Sequence, residues 1–467
     1  MKKSPAIEAS CYVESYATGP LVKTAGATGG THGLIARCPL PARAAGARAD
    51  ERAADGPLAS SCRITTLRCG IRDSSQTDIP LRSHSMNQVA PKYLHSLDVA
   101  RGIAAFAVVL WHWQHFFYDG DAVSPAFVRG RQPLYSALRA FYDRGDQAVS
   151  LFFTLSGFIF FWLYADRISS GAVHLREFFV LRISRLWPLH LATLIFVAGG
   201  QLLYWRMTGG AFVYPTNDVP HFVLNALFLA SLGGQSGFSF NGPSWSISVE
   251  MCLYAIFYLY CTLTRPRLVT MLVMAGIGIG VLGAQKPTLG QAIGSFFLGG
   301  TMFATCMLVW RSRIRRVASR SIPVVAVLLW LVTALAPTAL GLPDFRLDSE
   351  PCVTFVLFPL TILALPLAEV EFETGFRRVA ELTRLGSLSY SVYMIHFPLQ
   401  LFAMLVSLRL GVSRVVFYSP WSLLVFFTVL IALSIVSHDR FEIPAQRLFR
   451  RRLLTGTDRQ TSTPDCP

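Results

Sequence analysis

Ten apolar stretches divide this chain, and each, at about 17–25 residues, is long enough to cross the hydrocarbon core of a bilayer as a helix. They fall near residues 97–118, 147–165, 186–205, 246–263, 267–283, 290–310, 322–340, 351–369, 387–408 and 416–437. At that depth the backbone finds no water, so a crossing segment must satisfy its N–H and C=O groups internally. The fold class expected is therefore all-α integral membrane, a bundle of about ten transmembrane helices. Composition agrees: 52% of the 467 residues are hydrophobic and only 15% charged, where a soluble domain carries roughly 25% charged residues. The apolar piece "FVLNALFLASL" at 222–232 is too short to span and reads as interfacial or re-entrant.

A net charge of +15 raises the question of nucleic acid, but the basic residues lie between apolar spans, as the positive-inside rule requires. With a cytoplasmic N-terminus, the inner loops hold Arg167, Arg176, Arg182 and Arg185, then Arg265 and Arg267, then "RSRIRR" at 311–316 with Arg320. Arg377, Arg378 and Arg384 follow, and "RLFRRR" closes the series. The outer loops are poorer: "DFRLDSE" at 344–350 is acidic, and 207–244 is nearly uncharged. Arg129, Arg131, Arg139 and Arg144 of the first outer loop run against the rule, offset by nearby acids. Both termini are thus placed in the cytoplasm. The nine cysteines show no metal-type CxxC spacing, and no metal site is expected.

Residues 1–85 are rich in Ala, Arg, Gly, Ser and Thr, with no sustained apolar period and no signal-peptide core behind Lys2 and Lys3. They read as a disordered extension, and Met86, opening "MNQVAPKYLHSLDVARG", is an alternative start. Residues 86–450 form the membrane domain, and 451–467 a short disordered cytoplasmic tail.

The first span, "LDVARGIAAFAVVLWHWQHFF", carries Asp98, Arg101, His112 and His115. An ionisable group at bilayer depth costs a few kcal/mol and is a functional-site suspect by default. Arg101 and His112 are eleven residues apart, which is three helical turns plus about 20°, so they share a face roughly 16 Å apart along the axis. Asp98 lies about 40° away on the same stripe. A lone intramembrane histidine is ordinarily hydrogen-bonded packing; the aligned arginine argues for a polar seam. "FFVLRISRLWPLH" sets Arg182 and Arg185 at i and i+3, two guanidiniums suited to a phosphate or carboxylate, although boundary anchoring explains them too. Glu250 enters the fourth span one turn after Ser246, as a cap or a catalytic group. "LGSLSYSVYMIHFPL" puts Ser389, Tyr393 and His396 on one face, with His396 read as structural. Ser156 and Gly157 read as a close helix approach, and Trp187 and Trp245 as an interfacial belt.

Taken in order, these motifs resemble the acyltransferase-3 family of bacterial membrane O-acyltransferases. The resemblance rests on Arg101-x10-His112, "FFTLSGF" at 152–158, Arg182-x-x-Arg185 followed by Pro188, "PSWSISVE" at 243–250, "SYSVYMIH" at 389–396 and Glu442-x-Pro444. It covers about residues 93–450. Family members often show Asp-Gly-x-Arg-Gly where this chain has "DVARG", and some carry an extracytoplasmic hydrolase-like domain after the last span; here the membrane domain alone is expected to handle the acceptor. The resemblance implies an enzyme of the bacterial cytoplasmic membrane. It would take an acyl group, commonly acetyl, from cytoplasmic acyl-CoA to a hydroxyl of an extracytoplasmic or lipid-linked carbohydrate. Arg182, Arg185 and Arg101 would hold the CoA, and His112 would act as general base, with Glu250 orienting it, binding the acceptor or holding the fold. A hydroxyl is a poor nucleophile at neutral pH, and histidine has a suitable pKa for removing its proton. A covalent acyl-enzyme is the lesser alternative, since no Cys or Ser stands out as nucleophile. The competing classes are a secondary transporter or channel using Asp98, His112 and Glu250 as a path, and a sensor with a degenerate site. Dependence on acyl-CoA separates them.

Overall fold

A computed structural model of the chain describes residue 91 and residues 93–285, 287–339, 350–376 and 379–454. The expectations for residues 1–85, the acidic run at 344–349, Arg377 and Arg378, and the tail past Leu454 lie outside the described residues. Among those described, eight helices are long and apolar enough to cross a membrane, and the protein is an all-α membrane protein. The first and fifth of the ten expected spans appear as shorter pieces, a 17-residue helix His95–Trp111 and an apolar helix Leu268–Gly280.

In chain order the principal helices are α1 (His95–Trp111), α2 (Tyr135–Arg144), α3 (Ala148–Leu163), α4 (Leu175–Thr208), α5 (Val219–Ala226) and α6 (Trp245–Leu263). They continue with α7 (Leu268–Gly276), α8 (Pro287–Arg311), α9 (Arg315–Ala339), α10 (Phe358–Glu371), α11 (Thr383–Arg409), α12 (Pro420–Val436) and α13 (Ile443–Leu454). A two-residue hairpin pairs Tyr118–Asp119 with Ala122–Val123, turning at Gly120 with φ 70°. The arginines of the first outer loop are held locally: Arg139 and Arg129 both reach Asp143, at 3.3 and 3.6 Å.

α1 and α11 run parallel. His95 Nδ1 lies 2.9 Å from Thr383 Oγ1 near their starts, and His112 meets His396 further along. Two glycines permit the close approach. A Cβ on Gly102 would stand 2.7 Å from Leu385 Cβ, and one on Gly386 would stand 2.4 Å from the Asp98 carbonyl oxygen. α3 and α8 repeat the device, where a Cβ on Gly157 would meet the Phe296 carbonyl oxygen at 1.8 Å and one on Gly299 that of Thr154 at 1.9 Å. Lipid offers no hydrophobic drive between helices, so small residues at a crossing let backbones gain dispersion contact. Glu369 of α10 anchors the start of α1, accepting from the His95 and Ser96 backbone N–H groups and from Ser96 Oγ. A carboxylate there complements the helix's positive N-terminal dipole.

The connection 209–244 dips beside α4. Asp218 caps α5 through the His221 N–H, while Trp187 Nε1 donates to the Ala226 carbonyl and His190 Nε2 to that of Asn225. Trp187 thus finds an internal partner besides any interfacial role. The irregular chain then returns to the level of mid-α11, where Asn241 Nδ2 donates to the Met394 carbonyl at 3.2 Å. That carbonyl needs a partner because Pro398, four residues on, has no N–H to give it. Irregular backbone at such depth is tolerated where protein buries it or where it lines a cavity.

Candidate active site

α1 gives up its α-helical winding at Trp111, and His112–Phe117 follow as a 3-10 helix, where the sequence suggests one continuous span to 118. The winding has a consequence for side chains. In a 3-10 helix residues i and i+3 eclipse, so His112 and His115 face the same way with ring centroids 4.7 Å apart. α11 meets them with His396 and Gln400, one turn apart. The His396 Nε2 lies 3.1 Å from His112 Nδ1, and the rings stack with centroids 5.0 Å apart. Gln400 Nε2 donates to the His112 carbonyl at 2.9 Å, and its Oε1 lies 3.1 Å from His115 Nδ1. All four side chains are buried.

One turn before His396, Tyr393 OH donates to the Pro243 carbonyl at 2.6 Å and accepts from Ser246 Oγ at 2.7 Å. This fastens the start of α6 to α11. Tyr214 closes the same end, with its ring against His115, Phe238 and Phe397. Gly242 packs directly on it, where a Cβ would stand 2.3 Å from the ring. Ser389, read with Tyr393 and His396 as one face, spends its hydroxyl on its own helix, donating to the Gly386 carbonyl.

The arginines gather at the other end. Leu186 of α4 accepts from Tyr390 OH, which sets Arg182 about a turn, and Arg185 one residue, nearer the starts of α4 and α11, the end where Arg101 lies on α1. Arg182 is buried, 4% exposed. It hydrogen-bonds Tyr164 OH and sits over the rings of Tyr164 and Phe160 at 4.6 and 4.9 Å. Arg450 of α13 joins it, with Nε 3.4 Å from Ser184 Oγ and within the electrostatic reach of Arg182 and Arg185. Arg101 pairs with Asp98 at 3.3 Å, and Asp98 also accepts from Tyr93 OH.

Glu250 lies between the two groups. It accepts from Tyr254 OH, whose ring is 5.9 Å from the Arg182 guanidinium, and its charge also acts on Tyr390 and Tyr393. Its hydrogen bond goes to Tyr254; Tyr393, bonded to Ser246, has its ring 5.8 Å from that of His396. Among the described residues no group of three or more His, Cys, Asp or Glu is arranged to hold a metal ion. Glu442 is buried and accepts from Ser391 Oγ at 2.6 Å and Ser437 Oγ at 3.0 Å, tying α11 to the π-helical turn Ser437–Glu442 that joins α12 to α13.

Gln400, Tyr254 and Arg450 escape a reading by motif, and His115, suspect in the sequence as an intramembrane ionisable group, has its pairing with His112 only from the structure. His396 and Gln400 at i and i+4 of one apolar span were the available signal. Arg450 sits in a run of arginines whose inward member the sequence does not mark.

The described helices make a multi-pass membrane protein that carries arginines toward one end and imidazoles further along the same helices. The chain belongs to the acyltransferase-3 family: the family's acyltransferase domain matches residues 94–438, and the protein is an acyltransferase. It is similar to acyltransferase MdmB of Streptomyces mycarofaciens, 30% identical over 404 residues, which cover 80% of this chain and 97% of the relative. It also resembles "Protein 2 in picA locus" of Rhizobium radiobacter, 26% identical over 225 residues, covering 43% of this chain and all of the relative. No solved structure matches it.

Proposed function

We propose that this protein is an O-acetyltransferase of the bacterial cytoplasmic membrane. It takes an acetyl group from cytoplasmic acetyl-CoA and places it on a hydroxyl of an extracytoplasmic or lipid-linked carbohydrate. The observation that supports this most is the axial order of charge and base. Arg182, Arg185 and Arg450, with Arg101 beside Asp98, cluster at the end assigned to the cytoplasm, and His112 lies deeper, in the 3-10 turn that continues α1. From Arg182 to Thr193, level with the histidines through Asn241, is eleven residues, about 16 Å of helix rise. An extended pantetheine arm suits that interval. The arginines would hold the nucleotide phosphates by charge-assisted hydrogen bonds while the thioester reaches the imidazoles.

In the transfer step the acceptor hydroxyl loses its proton to His112 as its oxygen bonds to the thioester carbonyl carbon. The carbon–sulfur bond then breaks, and the proton passes from His112 to the departing thiolate of CoA. Glu250, set between the clusters with Tyr254 and Tyr393, positions the substrate on that path. The decisive experiment follows labelled acetyl-CoA in proteoliposomes with the host's surface glycan as acceptor. Thiol release and label in the glycan are both expected, and His112→Ala should abolish both while leaving acetyl-CoA binding intact. Wild-type turnover in His112→Ala would remove the general-base assignment, and thiol release without glycan label would remove the carbohydrate.

A further inference from the structure

We propose that His396 is a positioning residue that holds His112 in one tautomer, with Nδ1 protonated and Nε2 bare to receive the hydroxyl proton. The inference rests on the reading of His112 as general base and deepens it.

The argument is a proton count. His396 Nδ1 lies 2.6 Å from the Tyr393 backbone carbonyl. A carbonyl oxygen can only accept, so the hydrogen sits on His396 Nδ1. A neutral imidazole has one N–H, which leaves His396 Nε2 as an acceptor. Its partner at 3.1 Å is His112 Nδ1, so the shared proton belongs to His112, and the lone pair of His112 is left on Nε2. Both rings are neutral at rest: His396 is fully buried and His112 8% exposed, and among the described residues neither hydrogen-bonds a carboxylate. An unpaired charge in such a place is strongly disfavoured.

The second histidine is fixed by the same logic. Gln400 must turn its amide N–H₂ to the His112 carbonyl, so its oxygen faces His115 Nδ1, and His115 Nε2 is bare as well. Two unprotonated nitrogens therefore stand on the eclipsed face of one 3-10 turn. When His112 accepts a proton, its Nδ1–H still donates to His396, and the positive charge is shared with a polarisable neighbour. This is the task of the buried aspartate in a Ser-His-Asp triad, which fixes the tautomer of the catalytic imidazole. Inside a membrane a neutral acceptor avoids the desolvation of a permanent carboxylate.

Two substitutions separate positioning from packing. His396→Phe keeps the ring and its stacking but accepts no hydrogen bond. His396→Gln puts an amide oxygen near the position of Nε2. His396→Phe is expected to lower kcat by about a hundredfold or more, within the range seen when a triad tautomer is lost, with KM for acetyl-CoA unchanged. His396→Gln should recover at least about tenfold of that loss through its restored hydrogen bond. Solid-state 15N NMR of histidine-labelled protein in bilayers reads the tautomer directly, with the His112 signals identified by their absence in His112→Ala. The native protein should show His112 Nδ1 protonated and Nε2 bare, and His396→Phe should raise the Nε2-protonated form. If His112→Ala stays active, the general-base reading itself fails. If His112→Ala is dead but His396→Phe keeps the native kcat, or the native spectrum shows Nε2 protonated, the positioning role alone is overturned. The native spectrum decides even if His396→Phe does not fold.

Discussion

Arg450 shows how much a single side chain can depend on fold. In sequence it is one of three consecutive arginines after the last span; in the structure it turns toward Ser184 and the Arg182/Arg185 pair. A charged hydrogen bond to a phosphate contributes about 1.5–3 kcal/mol, so Arg450→Ala should raise KM for acetyl-CoA roughly tenfold or more, with kcat little changed. Steady-state kinetics at two salt concentrations checks this, since the wild type should lose more affinity to salt than the variant. Arg452, which is exposed, serves as control, and Arg452→Ala should leave KM unchanged. The sequence could count these positive charges and place them near a membrane boundary. It could not tell which one points inward, because that depends on the rotation of α13 against α4. Both His112 and His115 were suspects in the sequence by their place in an apolar span, and Arg101 aligned with His112 singled it out; that the two rings face the same way follows only from the switch to 3-10 winding.

Whole helices obey simpler rules, and most of them could be read in advance. Length and hydropathy located the spans, and Gly157 was readable as a crossing point from its small neighbour Ser156. Its partner Gly299 was not, since which helix lies opposite is a matter of tertiary packing. A Cβ at Gly157 would collide with backbone, not with a flexible side chain, so α3 and α8 must separate to admit it. Gly157→Ala should cost about 1–3 kcal/mol, the usual range for overpacking, and lower the midpoint of thermal unfolding in detergent. α5 offers a different test. The His221 backbone N–H, and then the His221 ring, hold the Asp218 carboxyl below the ordinary aspartate range. A depressed value means that the cap is fully present above the unfolded aspartate pKa of about 3.9 and is lost as pH falls through the lower folded value. Amide exchange over Val219–Ala226 should therefore stay slow at pH 5 and quicken only in stronger acid. In Asp218→Asn, which still caps but does not titrate, that acid-induced step should vanish.

For the molecule as a whole, the arrangement of charge predicts its orientation in the bilayer. If the arginine end faces the cytoplasm, the end of α13 does too. A reporter fused after the last residue should then fluoresce as a green fluorescent protein and stay inactive as an alkaline phosphatase; the opposite pair of results would invert the proposed direction of transfer. The connection 209–244 has a consequence at this scale. It lies over the imidazole end with Tyr214, Asn241 and Gly242, yet it lends no charged side chain to the arginine end. On the proposed direction of transfer, the acceptor would be met by this connection and the acyl donor by the arginine end, in separable parts of the chain. A chimera that exchanged only this segment for a relative's would be expected to change the decorated molecule and keep the same donor. Such a division would let one scaffold diversify its products without rebuilding its fuel supply.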